Sequence, residues 1–325
     1  MHAIQVSRHG GPEVLEYAEL EDPRPGPGEI LVRTSAIGVN FIDTYQRAGI
    51  YPMQLPYIPG SEGAGVVAAV GDGVDSPAVG QRVAWCDAPG SYAELITMPA
   101  DVAVAVPDAV GDDVAASALL QGCTAHYLLD GSAHPKAGDT VLVHAGAGGV
   151  GLVLTQMAKA KGIRVITTVS NDAKEALSRD AGADEVLRYG DDLAERVRAL
   201  TGGKGVSVVY DGVGADTIDQ SIAATAVRGT VVLFGAASGP VPPFDLQRLN
   251  AAGSLSITRP KLGDFIADPA ERAWRAGDVM GGISSGTVDV HVGHRYDLPD
   301  AARAHADLQA RSTSGSVVLL PVSSE

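Results

Sequence analysis

Short apolar or alternating runs, broken by glycine and proline, fill the first third of the chain. Residues 29–39, 63–70, 81–85 and 92–98 read as strands, because alternation places every second side chain on one face. Clusters such as Asp22 to Gly28 supply the turns between them. A brief helix fits residues 41–48. The pattern predicts an antiparallel, barrel-like sheet.

Near Asp112 the rhythm changes. Residues 112–129 have helical spacing, with Asp112 or Asp113 as the cap. Strand-like runs at 140–144, 164–169, 185–187, 206–210 and 230–234 then alternate with helical segments at 174–181, 191–200 and 216–226. Successive β–α units predict a parallel sheet covered on both faces, and 254–257 adds a possible strand at one end. The tail carries an amphipathic helix at 299–310 and a strand at 316–320. It fits neither region cleanly and can fold back onto the first. There is no fixed-period repeat, low-complexity tract or heptad run.

A length of 325 residues suits about two domains. With 24 basic and 39 acidic residues the net charge is -15, which disfavours a broad nucleic-acid or anionic-membrane surface. The two cysteines, Cys86 and Cys123, are too few for a disulfide framework and point to a reducing, cytoplasmic compartment. Residues 1–8 lack the apolar stretch of a signal peptide. The uncharged run from Thr140 to Ala158 approaches the ~20 residues that span a bilayer. It contains Gly146, Gly148, Gly149 and Gly151, however, and reads better as a strand, a phosphate loop and a helix.

That run carries the strongest chemistry. An apolar strand enters Gly146-x-Gly148-x-x-Gly151, and an apolar helix follows. The first glycine permits a tight turn, the second lets backbone approach a diphosphate, and the third packs helix on strand. Amides at the helix start bind the negative charge. An NAD site usually places an acid about 20 residues further on, at the end of the next strand. Here Ser170 and Asn171 stand there, with no acid before Asp172, and Lys174 follows. A cation and a hydroxyl suit a 2′-phosphate, so the expected cofactor is NADPH. Alone, Lys174 would read as a solvated surface lysine, and Asp172 weighs the other way. His144, at the loop entrance, reads as a strand-end histidine satisfied by backbone.

The chain resembles the zinc-free quinone oxidoreductases of the medium-chain dehydrogenase/reductase superfamily, the group that includes zeta-crystallin. The resemblance rests on Pro25-Gly26-Pro27-Gly28-Glu29, Gly38-Val39-Asn40-Phe41-Ile42-Asp43-Thr44-Tyr45, Tyr51-Pro52, Pro59-Gly60-Ser61-Glu62-Gly63, Gln121-Gly122-Cys123-Thr124-Ala125 and Tyr210-Asp211-Gly212-Val213-Gly214. Thr201-Gly202-Gly203-Lys204-Gly205, Thr258-Arg259-Pro260, Ala304-His305 and Arg311 extend it. It implies an α/β architecture: a GroES-like β-barrel catalytic domain at 1–120, completed by 290–325, and a Rossmann doubly wound parallel sheet domain at 121–289.

The resemblance also implies site residues. Asn40 would lie near the nicotinamide, and Tyr45 and Tyr51 would line the acceptor site, although packed tyrosines are an equal reading for Tyr45. Thr124, Ala147, Gly148, Gly149, Val150, Gly151, Ser170, Val213, Phe234, Gly235 and Arg259 match cofactor-binding positions. Lys174, Tyr189 and Arg311 would surround the 2′-phosphate. Ala236 and Ala237 depart from the pattern, standing where similar reductases carry Asn and Ser.

Zinc is not expected. Ser61 replaces the histidine of the zinc alcohol dehydrogenases, and structural zinc needs about four ligands, chiefly Cys and His. The expected reaction is hydride transfer from NADPH to a quinone. A reductase of α,β-unsaturated ketones, aldehydes or acyl thioesters is the first alternative. A non-catalytic NADPH-binding structural or regulatory protein is the second. Similar proteins form homodimers through a sheet edge, for which 253–257 is the candidate; neither nucleic acid nor membrane is an expected partner.

Overall fold

The strands of the computed structural model, which describes residues 1–322, run in chain order as β1 (His2–Val6), β2 (Leu15–Glu19), β3 (Glu29–Val39), β4 (Glu62–Val70), β5 (Arg82–Cys86), β6 (Leu95–Pro99), β7 (Val104–Ala105), β8 (Thr140–Val143), β9 (Arg164–Val169), β10 (Glu185–Arg188), β11 (Val206–Asp211), β12 (Thr225–Leu233), β13 (Ser256–Thr258), β14 (Val292–Asp297) and β15 (Ser316–Leu320). The helices are α1 (Phe41–Arg47), α2 (Asp112–Ala115), α3 (Leu119–Tyr127), α4 (Gly149–Ala160), α5 (Asp172–Asp180), α6 (Leu193–Leu200), α7 (Ile218–Ala224), α8 (Gln247–Ala251), α9 (Leu262–Phe265), α10 (Pro269–Ser284) and α11 (Ala301–Gln309). Contacts group these elements into two units. One comprises Met1–Gln121, Ala276–Ser284 and the described chain from Val290; the other comprises Gly122–Arg275 and Ser285–Asp289.

The first unit is built on a seven-stranded sheet in the order β14-β15-β3-β4-β5-β7, with β6 also paired to β3. Only β14 and β15 run parallel. The long β3 serves three neighbours: Glu29–Arg33 pairs with β6 and Ile37–Val39 with β15, while Ile30–Ile37 pairs with β4. Its inward residues join two cores, one around Ile30, Val32, Trp85 and Met98, the other around Ile4, Ile37, Tyr92 and Leu319. β3 ends at Asn40, and Phe41 opens α1.

The second unit holds a six-stranded, wholly parallel sheet in the order β10-β9-β8-β11-β12-β13. The order reverses beside β8, which is the switch point where doubly wound sheets bind ligands. Leu142, Ile166, Val209 and Val231 form part of its core, as expected of strands buried on both faces.

The structure departs from the sequence pattern in places. The helix expected over 112–129 is broken: α2 stops at Ala115, α3 starts at Leu119, and a wider turn over Leu128–Ala133 follows. The Ser117 hydroxyl between them bonds back to the carbonyls of Asp113 and Val114, a competition that bends helices. The cap is Gly111, not Asp112 or Asp113. β12 begins at Thr225, earlier than the apolar run from 230 suggests. Among the described residues no helix is long and apolar enough to cross a membrane, and the uncharged run from Thr140 lies in β8, the loop and α4.

Candidate functional site

Between β8 and α4 the chain turns through Ala145, which is left-handed at φ 53°. The Gly146 amide donates to the Thr168 carbonyl at 2.9 Å, and the Gly148 amide to the Ala145 carbonyl at 2.9 Å. A Cβ at Gly151 would lie 2.3 Å from the Ala145 oxygen, and one at Gly146 would lie 2.5 Å from Thr167 Cβ. At Gly148 the nearest atom would be 3.3 Å away. Two glycines thus pack the loop, while Gly148 leaves room beside it. Gly148 caps α4 with no side-chain hydrogen bond among the described residues, so the first-turn amides of Gly149, Val150 and Gly151 face outward to an anion. This cradle fits a dinucleotide diphosphate.

Behind the loop, both ring nitrogens of the buried His144 bond to hydroxyls, not to backbone as its sequence context suggested. Nδ1 meets Thr168 Oγ1 at 2.9 Å and Nε2 meets Ser221 Oγ at 3.0 Å. Ser221 donates to Asp211 Oδ2 at 2.7 Å. Its single proton is therefore committed, so Nε2 of His144 is the protonated nitrogen and Nδ1 accepts from Thr168. Burial pushes the imidazole pKa down and the Asp211 charge opposes it. Asp211 also accepts from the Val213 and Gly214 amides at 2.9 and 3.0 Å and from Thr217 Oγ1 at 2.8 Å. The hydroxyl and imidazole chain therefore ties the ends of β8, β9 and β11 together.

At the end of β9, Ser170 is exposed, and Asn171 caps α5 by accepting from the Lys174 amide at 2.9 Å. The Lys174 side chain is half-buried. Arg188 binds Asp172 at 2.5 Å and Glu175 at 2.8 Å. The acid that argued against a 2′-phosphate is thus neutralised by Arg188, a pairing across β9 and β10 that the sequence alone does not show. The Tyr189 hydroxyl accepts from the Ala145 amide at 2.9 Å, and its ring stacks on His144 with centroids 6.0 Å apart. Tyr189 and the glycine loop are accordingly one assembly. Val213 is buried beside Asp211, and the Phe234 amide donates to the Asp211 carbonyl at 2.9 Å. A Cβ at Gly235 would lie 2.3 Å from the Gly212 oxygen, so the ends of β11 and β12 meet closely. Thr124 is buried on α3. Arg259 is exposed and borders a groove lined by Leu233, Val241, Phe244, Leu246 and Ile257.

In the first unit, the Asn40 amide nitrogen donates to Glu62 Oε2 at 2.9 Å, and Glu62 Oε1 accepts from the Leu120 backbone at 2.7 Å. Asn40 Oδ1 accepts from Gln121 at 3.4 Å, and Gln121 Oε1 accepts from Ser316 at 2.8 Å. Tyr45 and Tyr51 meet edge to face, centroids 5.8 Å apart, and Tyr51 is 40% exposed. Arg311 is exposed after α11, left-handed at φ 56°.

A second buried chain braces α1. Asp43 Oδ2 accepts from the Asn40 amide at 2.8 Å and from the Tyr92 hydroxyl at 3.0 Å. His305 Nε2 donates to Tyr92 at 2.9 Å, and Arg47 donates to His305 Nδ1 at 3.1 Å and to Gln309 at 2.9 Å. Burial is the main cause that pushes the Asp43 carboxyl up to about 7 and Glu62 up to about 8; it pushes His305 down to about 3. The native carboxyls hold protons that the unfolded chain has released, so their contribution falls as pH rises through the neutral range. The buried neutral His305 acts the other way, but only below about 6.5, where the unfolded chain binds protons. Stability is therefore expected to drop by about 1–2 kcal/mol between about pH 6.5 and 8, read as the urea midpoint. Asp43→Asn should remove part of that drop. A flat or rising midpoint would contradict the assignment.

Among the described residues no three His, Cys, Asp or Glu side chains gather to hold a metal. Residues 26–108 match the alcohol dehydrogenase GroES-like domain, and residues 149–275 match the family described as zinc-binding dehydrogenase. The chain is 46% identical to a quinone oxidoreductase of Pseudomonas aeruginosa over 98% of its length and 99% of the relative. It is 40% identical to a 2-haloacrylate reductase of Burkholderia, with 98% of each covered. A mycobacterial protein solved in complex with NADPH superimposes with a TM-score of 0.96 at 58% identity, covering 99% of this chain and all of that one.

Proposed function

Because this chain belongs to the quinone oxidoreductase family of the medium-chain dehydrogenases/reductases, with a GroES-like domain and a Rossmann nucleotide domain, we propose that it is an NADPH:quinone reductase. The observation that carries the cofactor choice is the end of β9. Asp172 and Glu175 are both tied to Arg188, and Lys174 sits on the first turn of α5. The NADPH complex of the mycobacterial relative supports the same choice.

When bound, NADPH supplies the hydride. The α4 amides would hold its diphosphate, with Ala147 and Thr124 alongside, and Val213, Phe234, Gly235 and Arg259 would hold the nicotinamide half. Lys174, Tyr189, Ser170 and Arg311 would hold the ribose 2′-phosphate, where cations bond strongly. Asn40, Tyr45 and Tyr51 orient the acceptor oxygen. Tyr51, exposed and in exchange with water, passes it a proton. Zinc has no part in this scheme, since Ser61 stands at the histidine position and Glu62 is engaged by Asn40 and Leu120.

Steady-state assays with matched quinone and enone panels, with each nicotinamide cofactor and with a chelator, test the reading. Far higher kcat/KM on enones would move the assignment to the reductase class of the Burkholderia relative, which reduces 2-haloacrylate by its description. Binding of NADPH without turnover of any acceptor would leave a structural or regulatory role. Lys174→Ala is expected to raise the Kd for NADPH about tenfold or more, as loss of a charged hydrogen bond does, and to leave that for NADH nearly unchanged. An equal loss for both cofactors would show that Lys174 does not meet the 2′-phosphate.

The protein acts as a cytoplasmic homodimer in this proposal. β13 is paired on one side only among the described residues. Exposed Leu246 and Val227, together with the apolar groove beside Ile257, extend that edge. Light scattering that returns the mass of a single chain would overturn the dimer.

A further inference from the structure

We propose that Glu62 is a positioning residue that fixes which end of the Asn40 side-chain amide faces inward, and through Asn40 sets the direction of the whole Glu62–Asn40–Gln121–Ser316 chain. The proposal rests on the reading that Asn40 serves the acceptor.

Glu62 is fully buried, and both of its oxygens have fixed partners. Oε1 is held by the Leu120 backbone amide, a donor that cannot turn. Oε2 faces Asn40 across 2.9 Å. Gly38 lets the carboxyl lie against β3, since a Cβ there would come within 2.5 Å of Glu62 Oε2 and of the Ala116 carbonyl. An ionised carboxylate only accepts, so it forces Asn40 to present its nitrogen inward and its oxygen to Gln121. Gln121 must then donate to Asn40 and accept from Ser316, as observed. Gln121 thus takes its direction from Asn40, and Asn40 takes its own from Glu62 together with the Asp43 backbone amide, which its side chain caps at the start of α1.

The direction is reversible because the other end is a hydroxyl. Ser316 Oγ can accept as well as donate. Once Glu62 carries a proton, it donates to Asn40 Oδ1, Asn40 donates to Gln121, and Gln121 donates to Ser316. The three side-chain bonds are kept and turned round, while the capping contact of the Asn40 oxygen with the Asp43 backbone amide is given up. The surroundings bring the two states within reach of neutral pH. Asp43, a like charge on α1, faces Glu62, and burial favours the protonated form, while bonds from Asn40 and Leu120 favour the ionised one. Cys86 lies opposite in the β4–β5 register.

Glu62→Gln reproduces the protonated state without a charge: its Oε1 takes the Leu120 amide, and its nitrogen donates to Asn40 Oδ1. The readout is the pair of side-chain amide signals of Asn40 and Gln121 in nitrogen-15 NMR, each assigned by its disappearance in Asn40→Asp and Gln121→Glu. In the wild type both pairs should shift with one shared midpoint as pH passes through the neutral range. In Glu62→Gln both should hold the low-pH positions throughout. Both proteins are compared in an Asp43→Asn background, because Asp43 accepts from the Asn40 backbone amide and titrates in the same range; shifts that persist in Glu62→Gln there, or separate midpoints, overturn the proposal.

Turnover separates this from the reading beneath it. Glu62→Gln should lower kcat for the acceptor about tenfold, as a displaced orienting group does, with KM for NADPH within about twofold. It should also lose the neutral-range step in the pH profile. Should Asn40→Ala turn over acceptor like the wild type, Asn40 has no part in the reaction, and the NMR result alone still decides whether Glu62 sets its direction.

Discussion

Gly151→Val is expected to weaken NADPH binding by about a hundredfold, a loss of about 2.7 kcal/mol. Its first added atom would fall 2.3 Å from the Ala145 carbonyl oxygen and 3.0 Å from Gly146 Cα. Both are backbone, so neither can swing aside. The same Ala145 oxygen accepts from the Gly148 amide. Pushing it away therefore opens the turn whose amides hold the diphosphate, and overpacking of this kind costs about 1–3 kcal/mol in stability as well. Gly148→Ala makes the contrast. Its added carbon would sit 3.3 Å from one atom, a small adjustment, so the melting temperature without cofactor should barely move. Affinity should still fall, because the methyl occupies the space beside the diphosphate. Fluorescence titration with NADPH, paired with thermal melts of the cofactor-free protein, checks both. Binding within about threefold of wild type in Gly151→Val would show that the loop does not carry the diphosphate.

Asp211→Ala is expected to remove about 3–5 kcal/mol of stability, the usual result of leaving several buried partners of one charge unmet. The fully buried carboxylate collects the Val213 and Gly214 amides and the Thr217 and Ser221 hydroxyls. Its loss would strand all four and, through Ser221, the imidazole of His144. The melting temperature should fall by on the order of 10 °C. Asp211→Asn should cost less. Its oxygen keeps the backbone amides, and its nitrogen can donate to Ser221, whose proton then turns to His144 Nε2 once the imidazole carries its own proton on Nδ1 and donates to Thr168. Chemical denaturation of the three proteins decides the ranking. Equal loss in the two variants would mean that the bonds to Ser221 and Thr217 matter little beside the charge itself.

The parallel sheet was readable because its strands are buried on both faces, so apolar runs such as Val141–Val143 stand out from the polar turns around them. The glycine loop was readable because its three glycines answer to local geometry. β14 escaped notice for the opposite reason. It is an edge strand carrying His294, Arg295 and Asp297, and it is only half-buried, so its composition resembles a loop. β1 and β2 form a two-stranded sheet on their own, and β2 buries only Leu15 fully. α10 contains Gly277, Gly281 and Gly282, which weaken the helical signal.

The site shows the same division. Lys174 follows from its place after the second parallel strand and Asn40 from motif resemblance, whereas the groups that hold Asn40 lie far off in sequence. Glu62 is 22 residues from Asn40 and 58 from Leu120, and His305 is 213 from Tyr92. No periodicity links such positions. Arg188 was within sight, but its pairing with Asp172 depends on how β10 lies beside β9. His144 was judged by its place at a strand end, and only the fold shows that Thr168 and Ser221 converge on it.

The pairing of β15 with β3 has a consequence for the order in which this protein is made. Val39 meets Val317 across the sheet, so the inner edge of β3 waits for a partner that leaves the ribosome nearly 280 residues later, as the numbering of that pair gives. All six strands of the parallel sheet emerge in that interval. Domains fold as units during synthesis, earliest first, but here the unit that begins the chain is the one that finishes last. Its exposed β3 edge, rich in Ile37 and Val39, is a template for stray strands throughout that wait. Aggregation during expression should thus track the speed of translation through the nucleotide domain, with the early strands as the sticking point.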